Sequence, residues 1–480
     1  MKQDHIIQKV FVEITVNNKA KALSIKDDIN SFLSIDVFPE IENHIRALEY
    51  KLAGHTLQIP RLELNVDVKS SALNIELKDK IAELFKEELS EITKPIETSP
   101  QETKNDTKAY LVDDQEKMLK AFIYFLEKGT MPWWNSGSNS MTILESTVFD
   151  HIISTGNFQK SIIPVLSKEN VRNRIINQLS NEQIAQLCLA ILKNNELNIN
   201  LDSDTIHHLS KLDHTDRFAI WRLIFHVISE YLDTSDNHLR EYLLQEISTK
   251  KQISLSTAKS NHQNRKTLVK IFPFITENEI SESLTTNAAD QPENVRTSIE
   301  TIQEKNEIIQ ESAIRDEGHY IQNAGLILIH PFVRTLFEHC ELIDSKTQQL
   351  TDPELCAHLL HYIATGRTNA PEYDMLFEKF LCNIPMHQTI NRHIKLSRKH
   401  KTQAKNVIES VQHNWAPMKK SSAALLQNEF FQRPGKLVIT DADYTLTVER
   451  KTQDILLEKL SWGIGLVKLP WQKKFIFVNW

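Results

Sequence analysis

Only ten of the 480 residues are glycine, against roughly 7% in average usage, and this scarcity limits the fold more than any other feature. Glycine enters left-handed backbone conformations at little steric cost. A chain with so few has little room for tight hairpins or for glycine-rich loops that cradle phosphates. Long helices joined by polar connections are what remains. Hydrophobic residues at 40% and charged residues at 25% are ordinary globular values, so the chain can bury a sizeable core. At about 150 residues per domain, roughly three domains are expected.

The hydrophobic pattern divides the chain accordingly. Residues 1–70 read as a small α/β domain. "HIIQKVFVEITV" is strand-like, and in "RLELNVDVK" Leu62, Leu64, Val66 and Val68 alternate with Arg61, Glu63, Asn65 and Asp67. Between them lie two helical stretches, the second placed to begin at Pro39. Residues 71–112 read as a helix and a polar linker, 113–275 as an array of short helices, and 276–317 as an acidic linker. Residues 318–480 read as a helical domain that returns to strands in "KLVIT", "YTLTVER", "GIGLVKL" and "KFIFVNW". The fold class expected is α+β, predominantly helical, with a small antiparallel sheet at the end. Apolar residues on both faces of 475–480 predict an internal strand.

The chemistry-bearing residues form no catalytic constellation. The four cysteines (Cys188, Cys340, Cys356, Cys382) are dispersed and read as reduced thiols of a cytoplasmic chain. Cys356, His358 and His361 have metal-ligand spacing, yet the same helix carries Leu355, Leu359, Leu360 and Ile363 as a core stripe, and the core reading is preferred. "NSGSNS" lacks the spacing of a nucleophile elbow, Gly463 and Gly465 lack a third glycine and a following helix, and Asp441 and Asp443 suit a hairpin turn. No cofactor, metal, nucleic acid or membrane is expected as a partner, and no apolar run of about 18 residues exists.

Charge is unevenly spread. Residues 276–317 hold eleven Asp/Glu against Arg296, Lys305 and Arg315. In 379–408, Lys379, Arg392, Lys395, Arg398, Lys399, Lys401 and Lys405 meet no acid; a solvated helix face is the plain reading, docking to an acidic protein surface the sharper one. In "MPWW", Trp133 and Trp134 follow Pro132, and successive side chains of an extended loop diverge. Packing between domains and an exposed partner anchor both remain open.

Several stretches, taken together, resemble the contractile injection system tape measure family: "IPRLELNVDV", "FLEKGTMPWW", "AGLILIHPFVRTLFE", "HLLHYIATG", "PEYDMLFEKFLCNIP" and "DILLEKLSWGIGLVKLPWQKKFIFVNW". The resemblance implies a non-enzymatic assembly factor that sets tube and sheath length. It also implies tube, sheath or baseplate proteins as partners, in the bacterial cytoplasm or within an assembled particle. It carries over no catalytic residue. The motif positions it points to are Pro132, Trp133 and Trp134; His330, Pro331 and Phe332; and Trp462, Gly463, Pro470, Trp471 and Trp480. The alternative is a helical-repeat adaptor or chaperone that binds protein partners through the 131–134 loop and the 392–405 basic face. A ruler extended as one helix would span roughly 720 Å at 1.5 Å per residue, but the sequence has no sustained heptads.

Overall fold

The computed structural model describes residues 7, 9–16, 18–49, 55–68, 73–98, 110–135, 143–193, 197–233, 239–249, 258–286 and 318–480. The polar linker at 99–109, the serine loop at 136–140 and residues 287–317 of the acidic segment lie outside them. The chain is 60% helical and divides into two compact units. One comprises Met1–Ala121 with Trp133–Gly137, the other Phe122–Pro132 with Ser138–Trp480.

In the first unit, helices α1 (Lys19–Phe32) and α2 (Phe38–Glu49) are not separated at Pro39. A π turn, Leu33–Val37, joins them. Proline has no N–H to donate, and the turn just before it is widened, with the Phe38 N–H reaching back to the Leu33 carbonyl. The unit's core is Phe32, Val37 and Ile41 against Phe85 and Leu89 of α3 (Ile75–Thr98). Its paired strands, β1 (His55–Gln58) and β2 (Tyr110–Asp113), run antiparallel and are not the strands the sequence points to. Residues 61–68 do alternate, with the apolar members half-buried and the polar ones exposed, but among the described residues they join no ladder. Residues 9–16 lie outside regular structure, and 9–15 are exposed. Alternation reports which side faces a core; it does not supply a neighbouring strand. Leu62 and Leu64 pack on the helical core instead.

Helix α4 (Asp114–Lys128) ends as its sequence predicts. Gly129, at φ +76°, donates its N–H to the Phe125 carbonyl over 2.7 Å. The helical array follows in the second unit: α5 (Ser146–Ile153), α6 (Phe158–Leu166), α7 (Glu169–Gln178), α8 (Asn181–Ile191), α9 (Ser203–Leu209), α10 (His214–Asp233), α11 (Leu239–Thr249), α12 (Ala258–Ile271) and α13 (Glu277–Thr286). Capping is explicit at α8, where the Ser180 hydroxyl accepts the Gln183 N–H and the Gln183 side chain accepts the Ser180 N–H.

Beyond residue 318 the apolar run "AGLILI" is a fully buried 3-10 helix, Ala324–Ile329, entered through Asn323 in the left-handed region. It feeds α14 (His330–His339), which has Pro331 in its first turn. Then come α15 (Pro353–Thr365), α16 (Leu376–Leu381), α17 (Arg398–Asn414) and α18 (Ala423–Leu426). A five-stranded sheet closes the fold: β3 (His319–Ile321), β4 (Gly435–Ile439), β5 (Tyr444–Val448), β6 (Leu466–Val467) and β7 (Ile476–Asn479), in spatial order β3-β4-β5-β7-β6.

The sheet is mixed rather than wholly antiparallel. β4 and β5 form the expected hairpin over Asp441–Asp443, with the Ala442 and Asp443 N–H groups donating to the Thr440 hydroxyl. The chain then crosses through a 3-10 turn, Thr452–Lys459, and β6, so that β7 returns alongside β5 in the same direction. β7 is internal, between β5 and β6. Only one of its faces is covered, however: Ile476 and Val478 are buried, while Phe475 and Phe477 are exposed.

Deleting residues 471–480 removes this strand and Trp471, which lies in the same core cluster as Phe337 and Leu446. The truncated chain is expected to lose the cooperative melt of the second unit, followed by circular dichroism. A soluble product with an unchanged melting transition would refute that role for β7.

Candidate functional site

The interior of the second unit is organised by three charges. Arg174 on α7, Glu372 in the 3-10 turn Glu372–Asp374 and Lys379 on α16 are all 0% exposed. Glu372 takes Arg174 Nε on one oxygen at 3.1 Å and Lys379 Nζ on the other at 2.7 Å. One carboxylate thus serves two cations. Their remaining donors end on main-chain carbonyls: Arg174 on Leu126 and His387, at 2.6 and 2.7 Å, and Lys379 on Met386 and Gln388, at 3.0 and 2.5 Å.

Neighbours complete the arrangement. Gln178 accepts the Glu372 N–H and donates to the Ile390 carbonyl. The Arg392 backbone N–H donates to the Asn177 carbonyl, and Arg217 caps the end of α7 by donating to the Ile176 and Leu179 carbonyls. Gly129 leaves the space: a Cβ there would lie 2.7 Å from Glu372 Oε1 and 2.8 Å from Arg174 Nη2, at a φ that L side chains rarely adopt. Burial lowers the Lys379 pKa, with Glu372 opposing that shift.

This overturns part of the sequence reading. Lys379 is a buried structural cation and no member of a solvated basic stretch. Arg392 is half-buried and donates to the Asn369 carbonyl. The exposed basic residues of the 392–405 face are Lys395 and, on α17, Arg398, Lys399, Lys401 and Lys405. Lys399 pairs with Glu341 and Lys405 with Glu409.

The cysteine and histidines of α15 are core groups. Cys356, His358 and His361 are all buried. His358 Nε2 meets the Asn391 carbonyl at 2.9 Å, and His361 Nδ1 meets Glu378 Oε1 at 2.8 Å. Asn323 Nδ2 donates to that same carboxylate oxygen over 2.8 Å. Among the described residues no group of three or more His, Cys, Asp or Glu is arranged to hold a metal ion. Asn323 and Glu378 carry no local sequence signal; the fold brings them to His361.

The motif positions of the C-terminal region, in contrast, converge. His330 Nε2 meets the Gly463 carbonyl at 2.9 Å, and Trp462 Nε1 donates to the Leu328 carbonyl over 3.1 Å. The Phe332 and Trp462 rings pack edge to face at 5.5 Å. Pro331 stays exposed in the first turn of α14, and Pro470 is exposed where the chain turns ahead of β7. Trp471 donates Nε1 to the Leu381 carbonyl over 2.7 Å and lies 5.3 Å from the Phe337 ring. Trp480 donates to Asp454 over 3.0 Å, and Asp454 pairs with the fully buried Arg433 at 2.8 Å. Gly463 serves through its carbonyl, since a Cβ there would meet nothing within 4 Å. The "MPWW" residues are not part of this set. Pro132 is buried, Trp133 is 36% exposed, and half-buried Trp134 has Lys117 Nζ 5.9 Å from its ring.

A sequence model of the contractile injection system tape measure protein family matches residues 4–480. The chain belongs to that family. No curated protein and no solved structure matches it. In this tape measure family member, the stretches that carry the resemblance at the C-terminal end are structural mates: "HPF" and "WG", more than 130 residues apart in sequence, form one contact.

Two consequences are measurable. Glu372→Gln leaves two buried cations without their counterion and is expected to cost about 3–5 kcal/mol in urea unfolding. Lys405→Ala, at an exposed pair, should cost about 0.5 kcal/mol or less. Equal effects would mean that the buried triad carries no special weight.

The second concerns acid. Burial lowers the His358 pKa from 6.5 to about 4, so between those values unfolding takes up a proton and stability falls as pH is lowered. Burial raises the Asp374 pKa from 3.8 to about 6, so in that window the folded state binds more protons and acidification stabilises it. Asp374→Asn removes one opposing contribution. Its melting temperature should fall more steeply than that of the unsubstituted protein between about pH 6.5 and 4.5; parallel curves would contradict the assignment.

Proposed function

We propose that this chain is a non-enzymatic assembly factor that sets the length of the tube and sheath of a contractile injection particle. Family membership over residues 4–480 carries this reading. Its partners are tube, sheath or baseplate subunits, met in the bacterial cytoplasm and in the growing particle. The surfaces offered to them are the Trp133–Trp134 turn and the exposed basic residues of α17. The motif residues Trp462, Trp471 and Trp480 act by holding the C-terminal region in shape rather than by touching a partner.

The protein works as a folded body. An extended helical ruler would need the helices of the second unit pulled away from the elements they pack against. The Arg174–Glu372–Lys379 triad opposes piecemeal opening, since pulling one member away strands a buried, unpaired charge. Folded action leaves length to be set by how many subunits assemble before the factor is engaged.

Deleting the gene is expected to yield particles of altered length or none. Inserting about 20 helix-forming residues within 287–317 separates the two mechanisms. A folded factor leaves particle length unchanged in electron micrographs, whereas an extended ruler lengthens the tube by about 30 Å at 1.5 Å per residue. Particles of normal length after gene deletion would refute the proposal.

A further inference from the structure

Two stretches of the first unit have the sequences of strands and no strand beside them. Residues 9–16, "KVFVEITV", are mostly β-branched or aromatic, and residues 61–68 alternate apolar with polar side chains. Among the described residues neither stretch enters a ladder or makes a hydrogen bond from main chain to main chain. They are unequally covered. Leu62 and Leu64 pack on the core of Phe32 and Phe85, whereas Phe11 is 82%, Val12 48%, Val10 47% and Ile14 43% exposed. Residues 9–15 of a protomer therefore do not cover its own 61–68. So dense a run of exposed β-forming side chains is one that proteins normally pair or cover.

The two stretches fit each other as neighbouring strands. In an antiparallel ladder with Glu13 opposite Arg61, Val12 meets Leu62 and Val10 meets Leu64. The apolar side of one then extends the apolar side of the other beside the helical core. On the outer side charges alternate: Lys9 stands opposite Asn65, diagonal to both Glu63 and Asp67, and Phe11 stands diagonal to Arg61. Neighbouring antiparallel registers are worse. A slip of one residue turns the valines to solvent. A slip of two sets Glu13 against Glu63 in one direction; in the other it sets Val12 against Pro60, which has no N–H to donate.

We propose that two copies of this chain exchange these strands, residues 9–13 of each pairing antiparallel with 61–65 of the other. A second copy is the partner because each protomer offers both an unpaired strand and an unpaired acceptor. Reciprocal exchange about a two-fold axis satisfies both at once. A different protein would have to supply both halves itself or leave one stretch bare. Arg61 already pairs with Glu63 of its own strand, and the incoming Glu13 places a second carboxylate on that exposed guanidinium. The inference concerns how many copies act together; it goes beyond the length-setting role and does not depend on it.

The test places Phe11→Cys and Glu63→Cys in separate full-length chains, which are purified, mixed and oxidised mildly. The native cysteines are all buried. The two new thiols are directly opposite in the proposed ladder, so a mixed disulfide of twice the chain mass is expected on non-reducing gels. Phe11→Cys mixed with Asp67→Cys, offset by about 13 Å along the strand, should give about tenfold less. In sedimentation equilibrium Glu13→Arg should weaken dimerisation by about tenfold, since the pair occurs twice in each dimer, and Arg61→Glu in the same chain should restore it. All of these positions are exposed, so melting temperatures of the variants should stay close to that of the parent. A chain that sediments as a monomer at every concentration would overturn the proposal. So would a disulfide that forms only within one chain carrying both cysteines, a mixed disulfide indifferent to register, or a dimer insensitive to Glu13→Arg.

Discussion

The second unit depends on a charge placed where charges are hardest to keep. Glu372 lies fully buried between Arg174 and Lys379, and each member would be destabilising without the others. Arg174 is 198 residues from Glu372 in sequence. The triad therefore joins the helical array to the C-terminal region by a contact that tolerates no slippage. Apolar packing alone accepts modest rearrangement; buried cations that must meet both one carboxylate and specific main-chain carbonyls do not. Gly129 belongs to the same constraint, because any side chain there would enter the space the triad occupies.

The C-terminal region shows a second layer of specification. His330, Phe332, Trp462 and Gly463 form one contact group, and Trp471 and Trp480 anchor the two ends of the segment that contains β7. In each tryptophan the ring supplies buried area while the indole N–H is given to a defined oxygen. This accounts for so aromatic a closing stretch: its tryptophans are internal fasteners. The aromatic residues left over, Phe475 and Phe477, stand on the opposite side of the same strand and give the sheet its exposed apolar face.

Much of the fold was legible from local pattern. Helices from α4 onward follow their apolar spacing and caps, because both are set within one or two turns. The β4–β5 hairpin followed from Asp441–Asp443 between alternating runs. What failed was pairing. Residues 61–68 carry the clearest alternation in the chain and do turn one side inward and one to solvent, but the ladder forms between His55–Gln58 and Tyr110–Asp113. Lys379 failed for a related reason: a lysine in a basic run looks solvated until the carboxylate that neutralises it, seven residues away on another element, is brought beside it.

The sequence by itself determined the helical character, the family and the strands of the terminal sheet, since these rest on composition, short-range periodicity and motif identity. Tertiary structure alone decided which charges are buried, which of two apolar faces of β7 is covered, and that β7 runs parallel to β5. Those properties belong to pairs of residues distant in the chain, and burial, register and counterion contact exist only once the elements meet.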